Sequence, residues 1–252
     1  MQARRVLILG IGVHDVTMDE AVQQIVAFAA SGDFHHVVTV NPEFIMAARE
    51  NAQFAAVLNA ADLAVPDGAG LLWAARQQGQ PLRERVAGVD LVERVAEAGA
   101  RWGLRLYLLG AQEGVAVEAA RRLTQRYPGL LVAGAYAGSP RPDDEAAILS
   151  RISEARPHIL FVAYGAPQQD LWIARNRERL GVGVAMGVGG AFDFIAGRAR
   201  RAPRWVQRLG LEWLHRLLHQ PWRWRRMLAL PRFVWAVLTG GEGSREDARP
   251  ER

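Results

Sequence analysis

Residues 63–72, "LAVPDGAGLL", run from an unbroken apolar stretch through an Asp-Gly pair into a helical apolar pattern. A strand without polar alternation is covered on both faces, as happens where helices roof a parallel sheet. The same strand–turn–helix order recurs through the first 197 residues. "RVLILG", "HHVVTVN", "ADLAVP", "RLYLLG", "LVAGAYAG", "HILFVAYG" and "GVAMGVGG" read as strands. Between them, 18–31, 42–58, 69–78, 88–101, 114–127, 143–155 and 166–180 read as helices. The alternation predicts an α/β fold with a mainly parallel sheet and helices on both faces.

Ligands of such sheets bind beyond the carboxyl ends of the strands, so the junctions are where chemistry is sought. At the opening stretch, Asp67 is either a turn residue or a carboxylate at the mouth of a site, since Asp-Gly is a common turn pair. Gly70 argues for a close backbone approach, because glycine weakens a helix's first turn. The nearby helix N-terminus favours an ionised Asp67. In "TVNPEF" (39–44), Asn41 suits an N-cap and Pro42 a first helical residue. Capping and ligand contact are compatible there, and Thr39 ends the strand.

"LYLLGAQEGVAVEAA" (106–120) has a Gly110-led loop whose amides could hold a diphosphate. Neither it nor "LILGIGVHDV" (7–16) completes the Gly-x-Gly-x-x-Gly spacing, which disfavours a nucleotide-cofactor oxidoreductase. In "FVAYGAPQQDLW" (161–172), Gln168 and Gln169 offer neutral amides suited to sugar hydroxyls or a uracil edge, or simply start a helix. In "AMGVGGAFDF" (185–194), Asp193 reads as satisfying local amides.

Composition removes several chemistries. The 31 basic side chains are all arginine, which excludes a Schiff-base or P-loop lysine. There is no cysteine, so disulfides, thiolate nucleophiles and Cys-ligated zinc are absent. Of His14, His35, His36, His158, His215 and His219, only the last pair has ligand spacing, and there is no Asp-x-Asp. Neither a metal nor a cofactor is expected. The N-terminal "MQARRVLILG" reads as a strand rather than a signal peptide.

A break follows Gly197. Residues 198–232 carry ten arginines against Glu212 alone, a net of +9, while 233–252 nets −1; taken from the overall +5, that leaves about −3 for residues 1–197. Short helices separated at Pro221 and Pro231 are expected here. Trp205, Leu209, Trp213 and Leu217 recur every four residues, an amphipathic face among arginines. An anionic membrane surface, a helix packed on the core and a nucleic-acid surface are the three readings, the last least favoured. The division expected is a core at 1–197, a basic helical appendage at 198–240 and a disordered tail at 241–252.

Together "TVNPEF", "PDGAGLLWAAR…RERVAGVDL", "LYLLG", "YGAPQQDLWI", "GVGGAFDFIAG" and "RAPRWVQRLGLEWLHRLLHQPWRWRR" resemble the WecG/TagA/CpsF family of glycosyltransferases, family 26. The resemblance implies an inverting, metal-independent enzyme with a Rossmann-like core and a membrane-associating appendage, peripheral on the cytoplasmic face of the cell membrane. Its best-known members move N-acetylmannosamine from UDP to N-acetylglucosamine on undecaprenyl diphosphate, for teichoic-acid linkage units or related polysaccharides. By motif, Asp67 resembles the proposed general base, and Thr39, Asn41 and Gln169 polar site residues. Arg85 resembles a pocket arginine, and Arg216, Arg223 and Arg226 arginines that close over the donor diphosphate. The partners implied are a UDP-sugar, a polyprenyl-diphosphate-linked acceptor and an anionic membrane, with homo-oligomers possible and nucleic acid not expected. Another UDP-sugar, such as UDP-N-acetylmannosaminuronic acid or UDP-glucose, is the nearest alternative; Arg83 keeps the acidic sugar open. A non-catalytic membrane- or nucleic-acid-binding protein is the remote one.

Overall fold

The computed structural model describes residues 3–208, 210–219, 221 and 224–240, without the side chains of Arg204, Arg208, Arg216 and Arg225. The chain runs β1 (Arg5–Ile8), β2 (Ile11–His14), α1 (Met18–Ser31), β3 (His35–Val40), α2 (Pro42–Glu50), α3 (Ala52–Ala60), β4 (Leu63–Pro66), α4 (Ala69–Gln77) and α5 (Gly88–Trp102). It continues with β5 (Arg105–Gly110), α6 (Val115–Arg126), β6 (Leu131–Tyr136), α7 (Pro142–Ala155), β7 (Ile159–Ala163), α8 (Gln168–Asn176), β8 (Val184–Gly187) and α9 (Ala191–Ile195). Four short helices follow: α10 (Arg204–Arg208), α11 (Glu212–His219), α12 (Trp224–Met227) and α13 (Ala229–Leu238).

Six strands form one parallel sheet in the order β4-β3-β8-β7-β5-β6. Because side chains alternate across a strand, Val37, Leu63, Leu106 and Met186 face one core with α1, α5, α6 and α9. Val38, Val40 and Ala64 face a second core with α2, α3 and α4, while Leu109, Leu160 and Val162 meet α7 and α8. The expected architecture, a parallel sheet covered on both faces, is the one found.

Four local expectations are corrected. "RVLILG" does not join the parallel sheet; it pairs antiparallel with β2 around Leu9 and Gly10, both at positive φ (48° and 87°), the geometry of a tight hairpin turn. That hairpin covers the β4 edge, where the Ala64 amide donates to His14 Nδ1 at 2.9 Å and an exposed edge donor is removed. The helix expected over 42–58 is two helices, because Asn51 leaves the helical region to cap α3 through Phe54 N at 3.0 Å. Pro231 separates nothing: it lies in the first turn of α13, where an amide has no intrahelical acceptor to lose. Gly210 (φ 72°) ends α10, so Trp205 and Trp213 stand on different helices and not on one stripe.

The late helices are anchored. α13 packs on α2 and α4, with Phe233 in the second core at 1% exposure. Arg226 pairs with Glu43 at 2.7 Å and Arg232 with Glu50 at 2.6 Å, both acids on α2. Trp205, Trp213, Leu218, Trp224 and Trp235 stay exposed across α10–α13. The tail at 241–252 lies outside the described residues. Among the described residues, no helix is long and apolar enough to cross a membrane.

Candidate active site

The carboxyl ends of β4, β3, β8 and β7 lie side by side, and they bring Asp67, Thr39, Asn41 and Gln169 to one edge of the sheet. Asp67 follows β4, its amide donating to Val40 O at 2.8 Å. Its side chain is half-buried. Burial pushes its pKa up from 3.8 to about 6; Arg85 and the Gly88 amide oppose that rise, and the charges of Glu212 and Asp90 add to it. The helix-end expectation of a simple low-pKa carboxylate is thus overridden by desolvation. A carboxylate titrating near 6 is ionised at neutral pH yet basic enough to accept a proton.

Thr39 is buried and donates its hydroxyl to Gly187 O at 3.1 Å, tying β3 to the end of β8. Asn41 caps α2 through Phe44 N at 3.0 Å. The Gly88 amide faces the Asp67 carboxylate, and a methyl there would meet Thr39 Cγ2 at 3.2 Å and Asp67 Oδ2 at 3.4 Å. Gly88 was not singled out by the sequence, although it opens α5 directly after the "RERVA" motif.

Gln169 is wholly buried, and its Oε1 accepts from the Gly189 amide at 2.9 Å and the Gly165 amide at 3.2 Å. It staples the loops after β7 and β8 together, while its Nε2 finds no protein acceptor among the described residues. Gln168, its neighbour, points outward and is exposed. Gly110 sits farther along the edge at φ 104°, and a Cβ there would lie 2.8 Å from the Ala163 carbonyl carbon. Close passage of β7 accounts for that glycine. The carbonyl of Asp193 accepts the Arg198 and Ala199 amides at 2.8 and 3.0 Å.

The close approach expected at Gly70 of "PDGAG" is made by the chain's own Pro42 ring, and the same ring crowds Gly68. A methyl on Gly68 would lie 2.6 Å from Pro42 Cδ, and one on Gly70 2.8 Å from Pro42 Cγ. They let the α2 and α4 starts interlock. Gly68→Ala is expected to lower stability by roughly 1–3 kcal/mol through this overpacking. Thermal unfolding checks it: a fall of about 2–4 °C per kcal/mol is expected, and an unchanged melting temperature contradicts the interlock.

Arg85 lies between the core and the late helices. Its Nε donates to the Asp67 carbonyl at 2.7 Å and its Nη2 to Glu212 Oε2 at 2.6 Å. Of the other arginines expected at the site, Arg226 is held by Glu43, two residues past Asn41. Arg216 has its backbone in α11, while its side chain and the whole of Arg223 lie outside the described residues. Among the described residues, no three His, Asp or Glu side chains gather where they could hold a metal ion. Arg83 is committed elsewhere, to Glu20 at 2.5 Å and to the Asp15 carbonyl at 2.6 Å.

A parallel α/β sheet with a half-buried carboxylate, a buried amide and a guanidinium at its carboxyl edge has the Rossmann-like architecture in which ligands bind at the strand ends. The profile of the Glycosyl transferase WecG/TagA/CpsF family matches residues 6–246, and the chain belongs to that family. An N-acetylglucosaminyldiphosphoundecaprenol N-acetyl-beta-D-mannosaminyltransferase of Bacillus spizizenii strain W23 is 37% identical over 214 residues, 85% of this chain and 81% of its own. Its namesake in Bacillus subtilis strain 168 is 34% identical over 202 residues, 80% and 78% of the two chains. The Staphylococcus aureus strain MW2 enzyme of the same name is 32% identical over 235 residues, 92% of both.

Proposed function

We propose that this glycosyltransferase moves N-acetylmannosamine from UDP to the N-acetylglucosamine of a diphosphoundecaprenol lipid, with inversion and without a metal. The observation that carries the reading is Asp67: a half-buried carboxylate with its pKa raised to about 6, at the strand end where the family's substrates are expected. The names of the relatives supply the sugar and the acceptor.

In this reading the acceptor hydroxyl attacks the anomeric carbon as its proton passes to Asp67. The new C–O bond forms while the bond to the β-phosphate breaks, and the electron pair leaves with UDP. A β-linked product from an α-linked UDP-sugar requires one such displacement. Arginines neutralise the leaving diphosphate by paired N–H contacts: Arg85 at the core, with Arg216, Arg223 and Arg226 of the basic segment. Thr39 holds the β8 carbonyl, Gln169 shapes the floor through Gly165 and Gly189, and Asn41 offers the polar start of α2. Gly110 borders the site from β5.

Two observations bear on alternatives. Arg83, the candidate partner for an acidic sugar, already serves Asp15 and Glu20, which favours a neutral donor sugar. The exposed tryptophans and leucines of α10–α13, set among arginines, suit peripheral attachment to an anionic bilayer at the cytoplasmic face of the cell membrane. A donor panel with a short-chain lipid-diphosphate acceptor tests the reading. Turnover of UDP-N-acetylmannosamine, undiminished by EDTA, is expected. Preference for UDP-glucose or the uronic acid, or loss of rate with chelator, contradicts it.

A further inference from the structure

Glu212 has no part in the chemistry above, yet it stands at the only contact the described residues show between the late helices and Arg85. It is also the sole acid among ten arginines in residues 198–232. We propose that Glu212 is a positioning residue: through Arg85 and Arg201 it joins the late helices to the catalytic aspartate and fixes the Arg85 guanidinium beside it.

The geometry is a chain of alternating charges. Asp90, on α5, takes two N–H groups of Arg201, one of them at 2.6 Å. Arg201 reaches Glu212 Oε1 at 3.4 Å, and Glu212 Oε2 takes Arg85 Nη2 at 2.6 Å. Arg85 then reaches the Asp67 carbonyl through Nε. With one edge on Asp67 and the next nitrogen on Glu212, the planar guanidinium has its orientation set. The Glu212, Arg85 and Arg201 side chains are only 20, 24 and 27% exposed, so this is not a solvent-screened surface pair.

The charged groups facing Asp67 are Arg85, Glu212 and Asp90, together with the Gly88 amide. Without Glu212 the Arg85 guanidinium is no longer fixed beside Asp67, and Arg85 holds the Asp67 pKa down more than Glu212 raises it, so the acid limb of activity should move to higher pH. A Glu212 that acted on Asp67 through its own charge alone, without holding Arg85, would move that limb to lower pH.

The inference rests on the glycosyl-transfer reading for its kinetic arm only. The full chain is compared with Glu212→Gln and Glu212→Asp, by pH profile of kcat/KM on UDP-N-acetylmannosamine and by hydrogen exchange. For Glu212→Gln, kcat/KM should fall about 10- to 100-fold, the loss of one charge-assisted hydrogen bond. Its acid limb should shift up and α11 amides should exchange faster, while α13 stays protected because Phe233 keeps it in the core. Glu212→Asp should restore the limb and most of the rate. Wild-type kinetics and acid limb in Glu212→Gln, or a limb shifted to lower pH, overturn the proposal. If the wild type turns over no donor, the transfer reading fails by itself, and exchange then decides the joint: unchanged α11 protection overturns it.

Discussion

Asp67→Asn is expected to be nearly inactive and more stable than the wild type. Removing a general base costs roughly 10²- to 10⁴-fold in rate, and asparagine keeps the size and a hydrogen-bonding oxygen for the Gly88 amide. The stability gain follows from the pKa. Asp67 titrates near 3.8 when unfolded and near 6 when folded, so the folded state binds its proton more tightly. Its contribution is neutral below about pH 3.8 and becomes unfavourable as pH rises toward 6, reaching roughly 1–3 kcal/mol at pH 7. A neutral side chain removes that cost. Wild-type kcat/KM should correspondingly fall as pH drops through about 6, where the free enzyme's base is lost. A variant that is inactive and also less stable would mean that Asp67 holds the fold and not the proton.

Phe233→Ala is expected to destabilise the protein by roughly 3–5 kcal/mol, a large share of the 5–15 kcal/mol typical of a domain. Phe233 is buried in the second core, with Cε1 3.7 Å from where a Gly70 methyl would sit. Truncating it opens a hole over α4 and loosens the helix that follows Arg226. The same packing bears on a truncation at residue 197. The charge break suggests that such a fragment stays folded and loses activity, but the apolar α2–α4 surface would then lie bare, so stability and activity should fall together. Thermal unfolding of Phe233→Ala checks this: a drop of about 6–20 °C is expected, and a drop under 2 °C contradicts the packing argument.

The parallel sheet was legible because β3, β4, β5, β7 and β8 are short apolar runs followed by capped or glycine-led helix starts, and local chemistry decides both. The β1–β2 hairpin was not, since its turn uses Leu9 at positive φ, a choice that only tertiary packing over β4 enforces. The two halves of 42–58 could have been separated at Asn51, which carries the same cap signal as Asn41. Asp67, Thr39 and Asn41 were accessible as strand-end residues. Arg201, Glu43 and Asp90 were not, because partners more than a hundred residues apart leave no local spacing to read. Glu212 did leave a signal, as the one acid in a run of arginines.

The central claim is transfer of N-acetylmannosamine with inversion at a site served by Asp67. Its most direct test is product analysis: the full-length protein is incubated with UDP-N-acetylmannosamine and a short-chain N-acetylglucosaminyl diphospholipid, and the lipid product is examined by NMR. One UDP released per β-linked disaccharide-lipid formed is the predicted result. An α-linked product, or UDP released with free sugar and no lipid-linked disaccharide, would contradict it.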